Sequence, residues 1–382
     1  MDATTKTEQN PLQKLAAFGQ SPWFDYIRRN LITSGDLQRL VEEQGLKGMT
    51  SNPAIFEKAL SAGDDYKDFI AENAEKAKDA IELYEQIAVR DIQDAADILQ
   101  TVYEATNKRD GYISLEVAPT LANDTEKTLT EARRLWKLVN RPNLMVKVPA
   151  TDEGIPAIKQ LISEGININI TLLFSQDAYR QVAEAYVSGL EKRATETDDL
   201  SEAASVASFF VSRIDSLIDS EIEEKLKDAG GADKDLLESL RGKVAIANAK
   251  LAYQAYEEIF SGERWEKLAK KGAQTQRVLW ASTGTKNKDY SDVLYIEELI
   301  GKDTVNTIPP ATWEAFLDHG QLRESLTEDV EGAKKTLEDL EKAGISLEKA
   351  TDKLLVDAVR LFVEPFDKMI AAVETAIEEN KK

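Results

Sequence analysis

Eight short runs rich in β-branched and aromatic residues recur along the chain, and each is followed by a segment patterned for helix. The runs are PWFDYI (22–27), LKGMTSN (46–52), GYISLEV (111–117), LMVKVP (144–149), INITLLF (168–174), VASFFVSR (206–213), RVLWAST (277–283) and TVNTIPP (304–310). Strand–helix alternation buries a parallel sheet beneath helices, as a closed barrel or as an open doubly wound sheet. The open sheet calls for a glycine-rich phosphate turn after an early strand, and no G-x-G-x-x-G occurs. Eight strand–helix units therefore predict an α/β fold, a TIM (β/α)8 barrel. Helix boundaries are marked by Gly45 after GDLQRLVEEQ, by Asp124 before TEKTLTEARRLWKLV and by Ser175 before QDAYRQVAEAYVSGL.

The 382 residues exceed the roughly 250 typical of such a barrel. The excess reads as additional helical inserts at about 60–107 and 219–272, with a helical C-terminal tail over about 322–382. The tail mixes charged and apolar positions at helical spacing, so it is expected to pack back on the barrel, making residues 1–382 one domain. The net charge is −21, from 48 basic and 69 acidic residues, and no basic patch dominates. That balance argues against nucleic acid and anionic membranes as partners. With no cysteine there are no disulfides, thiolate nucleophiles or thiolate metal sites. The single His319 builds no multi-histidine metal site and reads as a capping or surface residue. The start, MDATTKTEQNPLQKL, has no apolar leader pattern, and no apolar run reaches membrane-spanning length. A cytoplasmic protein is the expectation.

Side chains alternate between the faces of a strand. One face of each run presents polar groups near its C-terminal end. These are Asp25; Thr50 and Asn52; Ser114 and Glu116; Lys147; Asn167, Asn169 and Thr171; Ser208, with Phe210 and Ser212; Ser282; and Asn306. In a closed barrel these faces point inward and converge on the end where barrel active sites lie. Lys147 is the sharpest case, a lysine among Met145, Val146 and Val148. A buried charge needs a partner, or must give up its proton. A structural Lys–Glu–Asp ion cluster is the bland alternative.

With neither thiol nor metal site expected, an inward lysine either holds an anion or acts as a neutral nucleophile. Free lysine is neutral in roughly one molecule in 2,500 at pH 7, and desolvation is the general way to enrich that form. A touching carboxylate opposes it, so Glu116 and Asp25 are expected to stand off. A neutral amine attacks a ketone to form a Schiff base, which accepts the electrons of a breaking C–C bond. Asp25 and Glu116 are the candidate acid/base groups. Asn52, Asn169, Thr171 and Ser208 suit sugar hydroxyls. Arg213, Ser282 and Lys286, beyond the sixth and seventh strands, suit a phosphate.

The segments GMTSNPAIFEKAL (48–60), ISLEVAPTLANDTEKT (113–128), LMVKVPATDEGIPAI (144–158), GININITLLFS (165–175) and SFFVSRIDSLID (208–219) resemble transaldolases. WASTGTKNKDYSDVLYIEELIGKDTVNTIPPATW (280–313) resembles the longer bacterial form. The resemblance implies a metal-free class I enzyme with no cofactor. Such an enzyme transfers a dihydroxyacetone unit from sedoheptulose 7-phosphate to glyceraldehyde 3-phosphate, in the non-oxidative pentose phosphate pathway. It implies Lys147 as the Schiff-base lysine and Asp25 as the acid/base at the C4 hydroxyl. Glu116 and Thr171 would relay protons through a water, Asn52, Asn169 and Ser208 would hold the bound unit, and Arg213 would hold phosphate. Fructose 6-phosphate aldolases are the nearest alternative. They resemble this chain but carry Gln where Glu116 stands and Tyr where Phe210 stands. Phe210 would deny a proton to the enamine. Short transaldolases carry a second phosphate arginine after the seventh strand; here Lys286 would supply that charge, with Ser282. Monomer and homodimer both stay open.

Overall fold

The computed structural model describes residues 9–61 and 64–380. Residues 1–8, which carry most of the segment read as lacking a leader, lie outside the described residues, as do 62–63 of the first insert and the last two of the tail. Eight parallel strands close into a barrel in chain order. They are β1 (Gln20–Asp25), β2 (Gly48–Thr50), β3 (Tyr112–Glu116), β4 (Leu144–Pro149), β5 (Ile168–Leu173), β6 (Ser205–Phe210), β7 (Arg277–Ala281) and β8 (Thr304–Ile308). The expected (β/α)8 barrel is the fold. Val146, Val148, Ile168 and Ile170, on the faces opposite Lys147 and Asn169, are fully buried. Burial on both faces is why these strands read as continuous apolar runs.

The helix signals hold locally. Asp124 accepts the Lys127 amide at 3.0 Å, and Ser175 accepts the Ala178 amide at 3.1 Å. Gly45 ends its helix with φ of 86°, where a side chain would be strained. That helix is not uniform, for Asp36–Arg39 runs into a wide π turn, Leu40–Gln44. The first insert holds the helices Lys67–Asn73 and Ala80–Ala105. The second continues the helix Ser212–Leu226 and adds Gly231–Leu240, Val244–Ile259 and Gly262–Ala269. After Pro310–His319 come Val330–Lys342 and a long C-terminal helix, Leu347–Asn380. The C-terminal helix packs against Pro53–Ser61, Ala80–Ala105 and Ser212–Leu226, as a tail folded back on the barrel should. Among the described residues no helix is long and apolar enough to cross a membrane. His319 is exposed at the end of its helix and meets Asp292 and Asp318 at 2.9 and 3.1 Å.

Strand register corrects one inward assignment. Period-two alternation puts Asn306 inside the barrel. Its neighbour Thr307 pairs with Trp23 of β1, on the face that also carries Asp25, so Thr307 takes the interior place. Asn306 instead accepts a hydrogen bond from Thr283 Oγ1 at 2.9 Å.

A buried ion pair closes the N-terminal end of the barrel. Asp110, just before β3, meets Arg277 at the start of β7 at 2.8 Å. Ser21 Oγ and Trp23 Nε1 also donate to Asp110, at 2.7 and 3.1 Å. Burial alone would raise the Asp110 carboxyl, but Arg277 and these donors prevail and hold it below its ordinary value. Removing one member of such a pair leaves a buried charge alone and costs about 3–5 kcal/mol. Asp110→Ala is expected to lower unfolding stability by about that amount in denaturant titration while leaving KM unchanged. A loss under about 1 kcal/mol would show that the pair is not the clamp described.

Candidate active site

At the opposite end, the barrel mouth opens into a cavity of about 550 Å³. Asp25, Asn52, Lys147, Thr171, Ser208 and Phe210 line it from the strand ends, Arg213 from the start of the helix after β6, and Ser282 and Lys286 from the loop beyond β7. Glu116 and Asn169, the other two expected site residues, are not on its wall. Asn169 lies in the layer beneath, where its amide donates to Ser114 Oγ at 2.9 Å and accepts from Ser208 Oγ at 2.6 Å. Asn169 thereby orients two inward hydroxyls, and Ser208 reaches the cavity from that anchored position.

Lys147 is 5% exposed. Its Nζ donates to the Ser51 carbonyl at 3.2 Å and lies 3.3 Å from Glu116 Oε2. The expected distance between Lys147 and Glu116 is therefore absent. The reason is register, since Glu116 on β3 and Lys147 on β4 are direct pairing partners on the same inward face. The Glu116 side chain is only 4% exposed, and its oxygens make no well-aligned hydrogen bond. Burial pushes its carboxyl above the ordinary value, against the pull of Lys147. Glu116 also lines a second, smaller cavity of about 220 Å³, with Phe56, Tyr84 and Phe366.

Asp25 does stand apart, for among the described residues it forms no ion pair with Lys147. Thr50 Oγ1 donates to its carboxylate at 2.6 Å, and Thr307 Oγ1 lies 2.6 Å from the same Thr50 oxygen. Thr50 has one proton to give, so Thr307 is the donor in the second contact. Burial raises the Asp25 carboxyl, opposed by Lys147, the Thr50 hydrogen bond, Lys286 and Arg213. The result is a carboxyl that binds its proton more tightly than a solvated aspartate does.

Three backbone features complete the mouth. A bulge in β5 lies between Ile170 and Leu173, and Leu172 takes a left-handed φ of 64° just after Thr171. The buried Thr171 Oγ1 has no hydrogen-bond partner among the described residues. Ser282 has φ of 56°, which breaks the alternation of β7 and brings it to the cavity, although Ala281 already holds the inward strand position. Its Oγ lies 2.9 Å from Ser212 Oγ at the head of the helix Ser212–Leu226. Arg213, next along that helix, places its guanidinium 5.5 Å from the Phe210 ring centroid. Burial pulls the Arg213 guanidinium below its ordinary value, with Asp25 opposing.

Sequence reasoning missed four participants. Thr307 was displaced by the one-residue register error. Ser51 contributes a main-chain carbonyl, which no side-chain pattern reveals. Leu361 and Phe362 arrive from the C-terminal helix, more than two hundred residues after Lys147.

A closed parallel barrel with a buried amine beside one carboxyl, and a second carboxyl across the cavity, has the parts for covalent amine catalysis with separate acid/base groups. The family model for transaldolase/fructose-6-phosphate aldolase matches residues 22–373. The chain is 47% identical to a transaldolase of Trichodesmium erythraeum, covering 97% of this chain and 98% of that protein. It is 49% identical to transaldolase 2 of Nostoc punctiforme, with the same coverage. Transaldolase 1 of Streptomyces avermitilis is 44% identical over 99% of this chain and 98% of its own length. The chain belongs to the transaldolase/fructose 6-phosphate aldolase family.

Thr50→Val removes the hydroxyl that stabilises ionised Asp25. The carboxyl should then titrate at still higher pH, because burial would act with less opposition. The carboxyl carbon signal of Asp25, followed against pH by NMR, checks this. A shift toward lower pH would overturn the reading.

Proposed function

We propose that the protein is a transaldolase, moving a dihydroxyacetone unit from sedoheptulose 7-phosphate to glyceraldehyde 3-phosphate through a Schiff base on Lys147. The observation that carries this reading is Lys147 on the wall of a mouth lined by hydroxyls, amides and cations, with Glu116 Oε2 3.3 Å from its Nζ. The products are erythrose 4-phosphate and fructose 6-phosphate.

Lys147 Nζ attacks the ketose carbonyl, and loss of water gives an iminium. Burial raises the proton affinity of Glu116, so it can take the proton that must leave the amine and return it to the departing hydroxyl. Thr171, unpartnered at the cavity wall, completes that relay through a water. Asp25 takes the C4 hydroxyl proton as the C3–C4 bond breaks. The electrons of that bond flow into the iminium, and the aldehyde leaves. The enamine then attacks the acceptor aldehyde, Asp25 returns the proton, and water hydrolyses the product iminium to free fructose 6-phosphate and the Lys147 amine. Asn52 and Ser208 hold hydroxyls of the bound unit, and Asn169, in the layer beneath, orients Ser208. Arg213, with Lys286 and Ser282, holds the phosphate, Lys286 as a point charge rather than a fork. Phe210 places no proton donor beside the enamine, which favours transfer over release and argues against the aldolase alternative. Sugar phosphates are water-soluble partners, and we place the enzyme in the cytoplasm as one barrel domain.

The first test is trapping. Incubation with fructose 6-phosphate and borohydride should fix a three-carbon adduct on Lys147, located by peptide mass. Erythrose 4-phosphate added before reduction should discharge it. No adduct on any lysine of folded protein would end the Schiff-base reading.

Two variants extend the test. Lys147→Ala should abolish turnover with the fold retained, and near-normal activity would sink its assignment. Glu116→Gln should lower kcat by about 10²–10⁴-fold, the usual contribution of general acid–base catalysis, while adduct still forms slowly. An unchanged kcat would remove Glu116 from the proton path.

A further inference from the structure

Apart from Phe210, the site groups that line the cavity from the strand ends are polar, yet the amine faces an aromatic ring from elsewhere in the chain. The Phe362 ring centroid lies 5.7 Å from Lys147 Nζ. Phe362 is 6% exposed and lines the mouth cavity, as does Leu361, which is 44% exposed. One turn further along the same helix, Phe366 lines the cavity that holds Glu116. There it meets Tyr84 edge to face, with centroids 6.0 Å apart. Residues four apart lie on one helical face. A single turn of the C-terminal helix thus covers both cavities that reach the Lys147–Glu116 pair.

We propose that Phe362 is a specificity-determining residue: it shields the three-carbon intermediate on Lys147 from water, so that the unit is passed to an acceptor rather than released. This inference rests on the transaldolase reading and concerns the partition of its intermediate. After the C3–C4 bond breaks, the enamine has two fates. In transfer, its carbon attacks the acceptor aldehyde, forming a new C–C bond and a product iminium that water then hydrolyses from Nζ. In release, that carbon takes a proton from water, giving an iminium. A second water then adds, and dihydroxyacetone leaves while Nζ regains its amine. Hydrolysis of an iminium ends both fates, so the step that divides them is protonation of the enamine carbon by water near Nζ, where the Phe362 ring lies. The ring face also favours positive charge at nitrogen, and the iminium carries it.

The helix is built to hold that residue in place, with its regular bonding interrupted at one point beside it. Pro365 lies within the helix and has no amide to donate to the Leu361 carbonyl. The covering turn is therefore held by its packing. Phe362 belongs to the main apolar core, and Phe366 packs against it.

The test measures partition. Wild type and Phe362→Ala are given fructose 6-phosphate with and without erythrose 4-phosphate. Released dihydroxyacetone, transferred product and the borohydride adduct on Lys147 are each measured. Phe362→Ala should raise the ratio of release to transfer about tenfold or more. Val356→Ala, at a 72% exposed position on the same helix, should leave the ratio unchanged, so that general loosening of the helix is told apart from loss of the shield. If Phe362→Ala does not fold, Phe362→Leu carries the same test with a rise of about threefold. An unchanged ratio in a variant that still forms the Lys147 adduct overturns the inference. A rise of equal size in Val356→Ala overturns it too. Absence of the adduct from wild type would instead overturn the transaldolase reading itself.

Discussion

Glu116 and Lys147 face each other because parallel register leaves them no other arrangement. They are paired positions on adjacent strands, with side chains projecting to the same side. Slipping either strand by one residue would send the charge into the helix layer. The pair is thus fixed by the same hydrogen bonds that close the barrel. The barrel holds a second buried ion pair, Asp110–Arg277, and the contrast explains both. Asp110 is hydrogen-bonded by Ser21, Trp23 and Arg277, and its carboxyl is held low. Glu116 has the amine at 3.3 Å and no aligned donor, and its carboxyl is raised. A saturated pair resists proton exchange. An under-satisfied pair is ready for it, and Glu116 opens onto a cavity.

Much of this was legible in the chain, because two periodicities carry most of the information. Strand–helix alternation gave all eight strands and the closed barrel. Period-two alternation gave Lys147, Glu116, Asn169, Thr171 and Ser208 their inward faces, since Val146, Val148, Ile168 and Ile170 could only face the helices. β8 misled because TVNTI offers polar residues on both faces, so only pairing with β1 decides between Asn306 and Thr307. Ser282 reaches the mouth through a left-handed backbone, which alternation does not describe. The distance between Glu116 and Lys147 depends on how two strands align, and neither strand encodes that alone.

The C-terminal helix shows why the remainder was not legible. Its sequence reads as an amphipathic helix, which fixes that it packs but not where. The barrel itself supplies polar chemistry at strand ends and leaves the mouth open to water. Covering that mouth needs an apolar element with its own support, because a loop of apolar residues would have to give up backbone freedom to make the same contact. A helix of 34 residues spans about 50 Å, enough to cross the strand ends and anchor on both sides. It rests on the helices Pro53–Ser61, Ala80–Ala105 and Ser212–Leu226. Two of these rim helices begin at residues that serve the mouth. Asn52 caps the first by accepting the Ile55 amide at 3.0 Å, and Arg213 lies at the head of the last. The cover is therefore seated on the elements that position substrate-facing groups, so the polar site and its apolar shield are held in one frame.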